Sequence, residues 1–388
     1  EYYKDFANKY ARLNNHIKVE EVENLTSKTD WKTEYGVDDT SSFIIISAEN
    51  KEKILYEYDL YTVDYTTYTE IDITEEAITN GILDVVTVEK PKVYFLTGHN
   101  LYSTMYFQYL QSDLTEEANE VEELDLLTTG EVPEDCNVLV ITALKEDIEE
   151  MEKDSIIKYI QKGGKILLLA DANLNNVALP NFQEVLDEYG VSISDGIILE
   201  GDANKMVSGA PNFVIATINN SSSIAKNTNM DINVCLINTG KLNIASSEEL
   251  EKLNVTSEVL ATVSDKAFYR TDLQSSSQSK IDSDEDAAGS TVAALLTKEI
   301  DENTSSKLIV FANTVFATNT QIQVSSQYYM YAMDFYNNKD VLLNSVSYLT
   351  DREETITIRK NLEAVNYDVT ESQNRIVLSI IFGIPVLI

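Results

Sequence analysis

Histidine and cysteine are the first shortages: 388 residues carry two of each. Cys136 and Cys235 lie far apart, with no CxxC and no Cys/His ligand spacing. That excludes dithiol redox chemistry and leaves two small buried hydrophobes, with a disulfide as the alternative. Basic residues are scarce as well, 29 Lys and Arg against 65 Asp and Glu, for a net charge of -36. A surface this acidic repels phosphate backbones and anionic headgroups, so nucleic acid is excluded as a partner. The charge reads as a solubilising coat in an exposed compartment, with cation capture as the alternative. No P-loop, GxGxxG or HExxH occurs, so nucleotide hydrolysis and zinc proteolysis have no apparatus and no cofactor is called for. No signal peptide precedes Glu1. Long apolar runs are missing too: Ile376 to Ile388, after Asn374-Arg375, falls short of the roughly 20 residues of a spanning helix. It reads as a span cut part way, with a C-terminal core element as the alternative, and the chain as a segment of a longer membrane protein.

What is present is ordinary for a globular protein, 43% hydrophobic and 24% charged, and long enough for two or three domains. The organising stretch is Lys92 to Asn100, an apolar run that stops at Thr97-Gly98-His99-Asn100. It reads as a buried strand that delivers a turn to the carboxyl edge of a sheet, where α/β proteins place their sites. Upstream, a helix over Glu1 to Asn15 leads into a strand at Ile17, Val19 and Val22. A short helix at Asp30 to Tyr35, a strand at Ser42 to Ser47, its antiparallel partner at Lys53 to Tyr61 and a helix at Thr74 to Val86 complete residues 1–88. Pro91 opens a second unit, 91–358, with strands at Glu120 to Leu126, Asn137 to Thr142 and Lys165 to Asp171. These alternate with helices at Leu101 to Leu110, Ile148 to Ile160 and Asn181 to Tyr189, which is the pattern of a doubly wound parallel sheet. A strand at Val191 to Glu200 precedes a β-rich insertion over about 201–288, which lengthens or covers the sheet and includes a polar loop at Gln274 to Asp286. Strands at Thr291 to Thr297 and Lys307 to Ala312, an aromatic helical region at Tyr328 to Tyr348 and a last strand at Thr355 to Ile358 follow. A linker, 359–374, leads to the apolar end, 375–388.

The candidate ligand-binding residues are those of the sheet-edge loops: Thr97, Gly98, His99, Asn100, Thr142, Asp171, Asn173, Asn313 and Thr314. No cysteine is among them. A histidine base paired with Asp171 or Thr142 is the enzymatic alternative, a hydrolase or transferase. Gly98 follows a buried strand at a tight turn, a position that calls for positive φ. Asp282, Asp284 and Asp286 mimic the start of a calcium loop, but Ala287 stands where the turn needs Gly and Ala293 where a bidentate Glu belongs, so no metal is assigned.

Val93 to His99, the joint Tyr159 to Lys165, Leu186 to Val191 and Asn374-Arg375 before an apolar run together resemble the GldG-like auxiliary proteins of bacterial ABC transporters. Ile17 to Glu20 and Glu76 to Ile82 fit the same family, so the resemblance spans essentially the whole chain. It implies an extracytoplasmic region held in the bacterial cell membrane by a C-terminal span and partnered with a permease and an ATPase. It also implies a thioredoxin-like first domain, here without its first strand, and a second domain similar to class I glutamine amidotransferases and to an intraflagellar-transport protein domain. The amidotransferase nucleophile is missing, because Asp171-Ala172-Asn173 holds no Cys. The acidic residue usual after the Gly-His pair is replaced by Asn100-Leu101-Tyr102. The expected function is therefore non-enzymatic: binding of a saccharide-like or peptide ligand, or a partner protein, at the sheet edge, with a purely structural scaffold as a further alternative.

Overall fold

The computed structural model describes residues 2–21, 43–49, 51–64, 69–172, 174, 177–225, 232–273, 275, 277–325 and 328–352. The expected helix at Asp30 to Tyr35, Val22, Asn173, the strand at Thr355 to Ile358, the linker and the apolar end lie outside them.

Helix α1 (Tyr2–Leu13) turns Tyr3, Phe6 and Tyr10 towards a small core around Leu55, Leu60 and Ile78. Strands β1 (Phe43–Ala48) and β2 (Lys51–Tyr56) form an antiparallel hairpin on which helix α2 (Thr74–Val86) packs. A second hairpin, Tyr61–Asp64 with Thr69–Asp72, precedes that helix. Residues 17–21 adopt no strand, contrary to the alternation of Ile17 and Val19. Alternation alone fixes no strand where no described segment pairs with it.

Ten strands make the main sheet. Its parallel half contains β3 (Lys92–Leu96), β4 (Glu120–Leu124), β5 (Cys136–Thr142) and β6 (Lys165–Leu169). Continuing along the chain, the other half contains β7 (Met206–Val207), β8 (Ala210–Ile218), β9 (Asn233–Ile237), β10 (Val255–Thr262), β11 (Thr291–Asp301) and β12 (Thr304–Phe311). The order is β7-β8-β10-β11-β12-β6-β5-β3-β4, with β9 also paired to β8. Strand β12 is the hinge of the architecture. It runs parallel to β6 but antiparallel to β11, to which a tight turn joins it. The sheet is thus mixed, not wholly parallel, and the inserted residues lengthen it. A short hairpin forces its two strands antiparallel, whereas a parallel neighbour needs a long crossover.

Both faces of β3, β5 and β6 are covered, which is why these strands read as largely continuous apolar runs, whereas the edge strand β4 keeps its glutamates exposed. Val93 and Phe95 face one core with Phe107, Leu110 and Leu114 of the 3₁₀ turn Thr104–Phe107 and helix α3 (Gln108–Glu116). Tyr94 and Leu96 face another with Ile156 and Ile160 of α4 (Glu150–Gln161) and Phe182 and Leu186 of α5 (Pro180–Asp187). Each such fully buried side chain contributes about 1.5–3 kcal/mol. The joint after α4 has a close-packing reason: a Cβ on Gly164 would stand 2.4 Å from the Tyr159 ring. The Tyr159 hydroxyl meanwhile bonds both the N–H and the carbonyl of Lys165 at 3.0 Å, locking helix to strand.

Three other expectations change. Leu101 to Leu110 is not one helix: Ser103 caps the 3₁₀ turn by accepting from the Met105 N–H, and α3 starts only at Gln108. Val191 to Glu200 breaks into Val191–Ile193 and Ile197–Leu199, because the N–H of Gly196 turns to the Tyr269 hydroxyl at 2.7 Å. Tyr328 to Tyr348 opens as a strand, Tyr328–Tyr331, paired with Gln321–Ser325, before helix α6 (Asn338–Leu349). Helix α6 clamps the two halves of the sheet: Asn338 bonds both the N–H and the carbonyl of Cys235 on β9, while Val341, Leu342 and Val346 enter the core beneath the parallel half. Cys136 and Cys235 are both buried and free, with their thiols pushed up to about 12 by burial.

Candidate functional site

Strands β3, β5, β6 and β12 end along one edge, and their loops meet there. Gly98 has φ +108 with open space around its missing side chain, so its backbone conformation, not crowding, explains the glycine. That turn throws Asn100 across the sheet, where its side-chain amide donates to the Leu96 carbonyl at 2.9 Å and to the Thr142 hydroxyl at 2.7 Å. The Leu101 N–H donates to the Ala143 carbonyl and the Lys145 N–H to that of His99, at 2.7 and 2.9 Å. Thr97 turns the other way and donates its N–H and hydroxyl to the Leu124 carbonyl at the end of β4.

The second knot forms around Asp171. Its carboxylate accepts the Tyr102 hydroxyl at 2.8 Å and the Thr314 N–H at 2.7 Å. Burial pushes this carboxyl above the usual carboxylate range, while those two donors pull it back. The Thr314 hydroxyl donates to the Leu169 carbonyl at 2.5 Å and accepts from the Ala143 N–H at 3.3 Å. Asn313 donates to the Ile237 carbonyl at 2.7 Å and accepts the Phe316 N–H at 3.0 Å, tying the edge to β9. Of the sequence-derived set, Asn100 with Thr142, and Asp171 with Thr314, are brought into direct contact. Thr97 and Asn313 face elsewhere, and Asn173 lies outside the described residues.

His99 has a partner that the sequence reading missed. Its ring is buried, and Nε2 stands 2.8 Å from Oε2 of Glu152, which has no exposed surface. Neither ring nitrogen has a hydrogen-bond partner, and Glu152 Oε1 has none either. The same Oε2 also accepts the Glu149 N–H at 2.8 Å at the start of α4. Glu149 to Glu152 has the spacing of a helix-capping carboxylate, and that was the available signal. The side chain next to His99 is thus Glu152, not Asp171 or the Thr142 hydroxyl.

Beside this edge lies a cavity of about 450 Å³. Leu144, Leu168, Ala170, Phe182 and Leu186 give it apolar walls, with Thr142, Lys145 and Asp171 among its polar groups. Among the described residues no group of His, Cys, Asp and Glu side chains is arranged to hold a metal ion. The calcium-like loop has another use. Asp284 is clamped by the Arg270 guanidinium at 2.8 and 2.6 Å, and Arg270 also donates to the carbonyls of Ser277 and Ser279.

The family model described as an ABC-type uncharacterized transport system matches residues 90–345, more than half of the chain, and the chain belongs to that family. No curated protein matches it. Among solved structures, the mmIFT52 N-terminal domain superposes with a TM-score of 0.49 at 14% identity, covering 66% of this chain and 97% of that one. A protein from Thermoplasma acidophilum described as a candidate GMP synthase component superposes at 0.35 and 10% identity, covering 69% and 98%. Family membership makes the protein an auxiliary component of a transport system and associates it with transporter components. Among the described residues no helix is long and apolar enough to cross a membrane.

Proposed function

We propose that this member of the transport-system family is the extracytoplasmic region of a membrane-anchored auxiliary protein, which partners a permease and an ATPase and serves as a docking module. In this reading residues 1–88 are a thioredoxin-like domain without redox chemistry and residues 91–358 an amidotransferase-like domain without its nucleophile. The observation that carries the non-enzymatic reading is the state of the edge loops. Asn100, Thr142, Asp171 and Thr314 bond one another or the backbone, and the buried His99 abuts Glu152. A general base needs a reacting proton within reach; the first four groups are already engaged, and the His99 ring is buried away from solvent.

A saccharide-like or peptide ligand would enter the cavity beside Asp171, where apolar walls and a few polar groups match the usual make-up of a binding pocket. The cavity favours this reading over a purely structural scaffold, which would need no hollow. The experiment is affinity purification of the full-length membrane protein from its own cells. A permease and an ATPase are expected in the eluate, in amounts that fall when Leu144→Arg and Phe182→Arg fill the edge. Recovery of neither transporter component would sink the proposal. Hydrolysis or group transfer lost in His99→Ala would restore the enzymatic alternative.

A further inference from the structure

The edge spends its polar groups on itself but leaves an aromatic surface uncovered. Leu101, Met105, Tyr106 and Tyr109 are 44%, 73%, 44% and 38% exposed. All sit in the stretch that follows the His99 turn. Their platform is held stiffly. Tyr109 meets Tyr331 edge to face at 4.9 Å, and Tyr102 meets Tyr106 in the same way at 6.0 Å. Asn319 donates its N–H to the Tyr106 carbonyl and its side-chain amide to that of Met105. Rigid aromatic surface of this kind binds at low cost in conformational entropy.

Charge narrows what could cover it. Segments 100–144, 166–204 and 308–338, which supply the platform and the loops around it, contain no Lys, Arg or His. Two cations that follow these segments, Lys145 and Lys339, stand 3.8 Å from Glu146 and 2.9 Å from Asp113. The platform therefore combines tyrosine faces and a thioether with a negative field that these paired cations do not offset. Tyrosine faces attract Lys and Arg, and methionine adapts to irregular apolar anchors. A negative field also draws in and orients a positive partner.

We propose that this face docks a cationic polypeptide segment with apolar anchors, carried by a partner protein of the transport system. The inference rests on the docking reading above and names the chemistry of its partner. Its test is calorimetric titration of the 388-residue chain with four probes. They are a peptide alternating lysine with leucine, the same peptide with glutamate for lysine, a neutral chitooligosaccharide and phosphatidylcholine vesicles. The chain is compared with Tyr106→Ser/Tyr109→Ser, with Met105→Ser and with Tyr58→Ser, a control at an exposed tyrosine of the N-terminal elements.

The cationic peptide is expected to bind, more weakly as salt rises, with its Kd about tenfold higher in the double variant. Met105→Ser should weaken it less, and Tyr58→Ser should leave it unchanged. All three changes preserve net charge, so diffuse attraction to an acidic protein would survive in every variant; equal binding by the wild type and the double variant overturns the proposal. Tighter binding of the glutamate peptide, the glycan or the vesicles, lost in the double variant, would overturn it as well by assigning the face to another occupant. Co-purification of permease and ATPase without peptide binding would refute this inference alone, and the converse would refute the transporter reading alone.

Discussion

Two buried pairs of ionisable side chains in this molecule are built differently. Arg270 and Asp284 form a two-pronged clamp, and the remaining guanidinium N–H groups reach the carbonyls of Ser277 and Ser279. His99 and Glu152 approach to 2.8 Å, yet both ring nitrogens stay unsatisfied. The first pair sits at the end of the short strand Phe268–Arg270, in a small three-stranded sheet apart from the main one, where a polar loop needs a fixed centre. The second sits under the Gly98 turn, between β3 and the start of α4, where packing on both sides already fixes the backbone. A satisfied pair can organise a loop, whereas a poorly satisfied one is tolerated only where its surroundings hold it.

Breaking the clamp should therefore cost the most. Arg270→Ala leaves the Asp284 carboxylate buried and unpaired, a loss of about 3–5 kcal/mol that a urea midpoint would register. Asp284→Asn keeps the shape and should cost less. If Arg270→Ala were as stable as the wild type, the loop would not depend on its centre, and the contrast between the pairs would collapse. Glu152→Ala comes next. It removes the cap on the Glu149 N–H and strands the His99 ring, at about 1–3 kcal/mol. Glu152→Gln retains a capping oxygen and separates the cap from the charge: near-wild-type stability would mean that Glu152 works here mainly as a cap. Gly98→Ala follows, at about 1–2 kcal/mol, because only backbone conformation resists the new methyl group. A variant as stable as the wild type would show that the turn relaxes freely.

How much of this could be read from residues alone differed between the same two regions. Apolar runs such as Val138 to Ile141 and Ile166 to Leu169 have a single reading, because a strand covered on both faces has no polar side to obscure it. The hairpin of β11 and β12 hid its direction, since a buried run looks alike whether its neighbour is parallel or antiparallel. At the edge, Gly98 announced its turn through the chemistry of glycine, and Asp171 and Thr142 fell where strand ends predict. Glu152 stayed hidden because its partner lies 53 residues away in the chain, across a helix start, and an acid in the first turn of a helix normally needs no explanation beyond the dipole. Arg270 and Asp284 were concealed by their acidic surroundings: three alternating aspartates suggest a cation, and the guanidinium that answers one of them is on another strand.

The smallest effect is a change of slope with pH, and it sets two carboxylates against each other. The Arg270 guanidinium holds Asp284 below the usual carboxylate range. An acid whose folded-state pKa is lowered adds stability above its unfolded value and loses it as pH falls towards the folded one. Asp171 lies on the other side: burial raises it above the usual range. Between the usual value and the raised one the folded protein binds more protons than the unfolded chain, so stability falls as pH rises through that window and stays lower above it. Removing each carboxylate should thus bend opposite limbs of the stability profile. Asp284→Asn should flatten the acid-side loss relative to wild type, even though its stability is lower throughout. Asp171→Asn should flatten the decline on the high-pH side of the carboxylate range and lose less stability at neutral pH than at acid pH. Urea midpoints at a series of pH values distinguish the cases. Parallel profiles for wild type and Asp171→Asn would mean that Tyr102 and Thr314 offset the burial of that carboxyl in full, and that the edge is as well satisfied as the clamp.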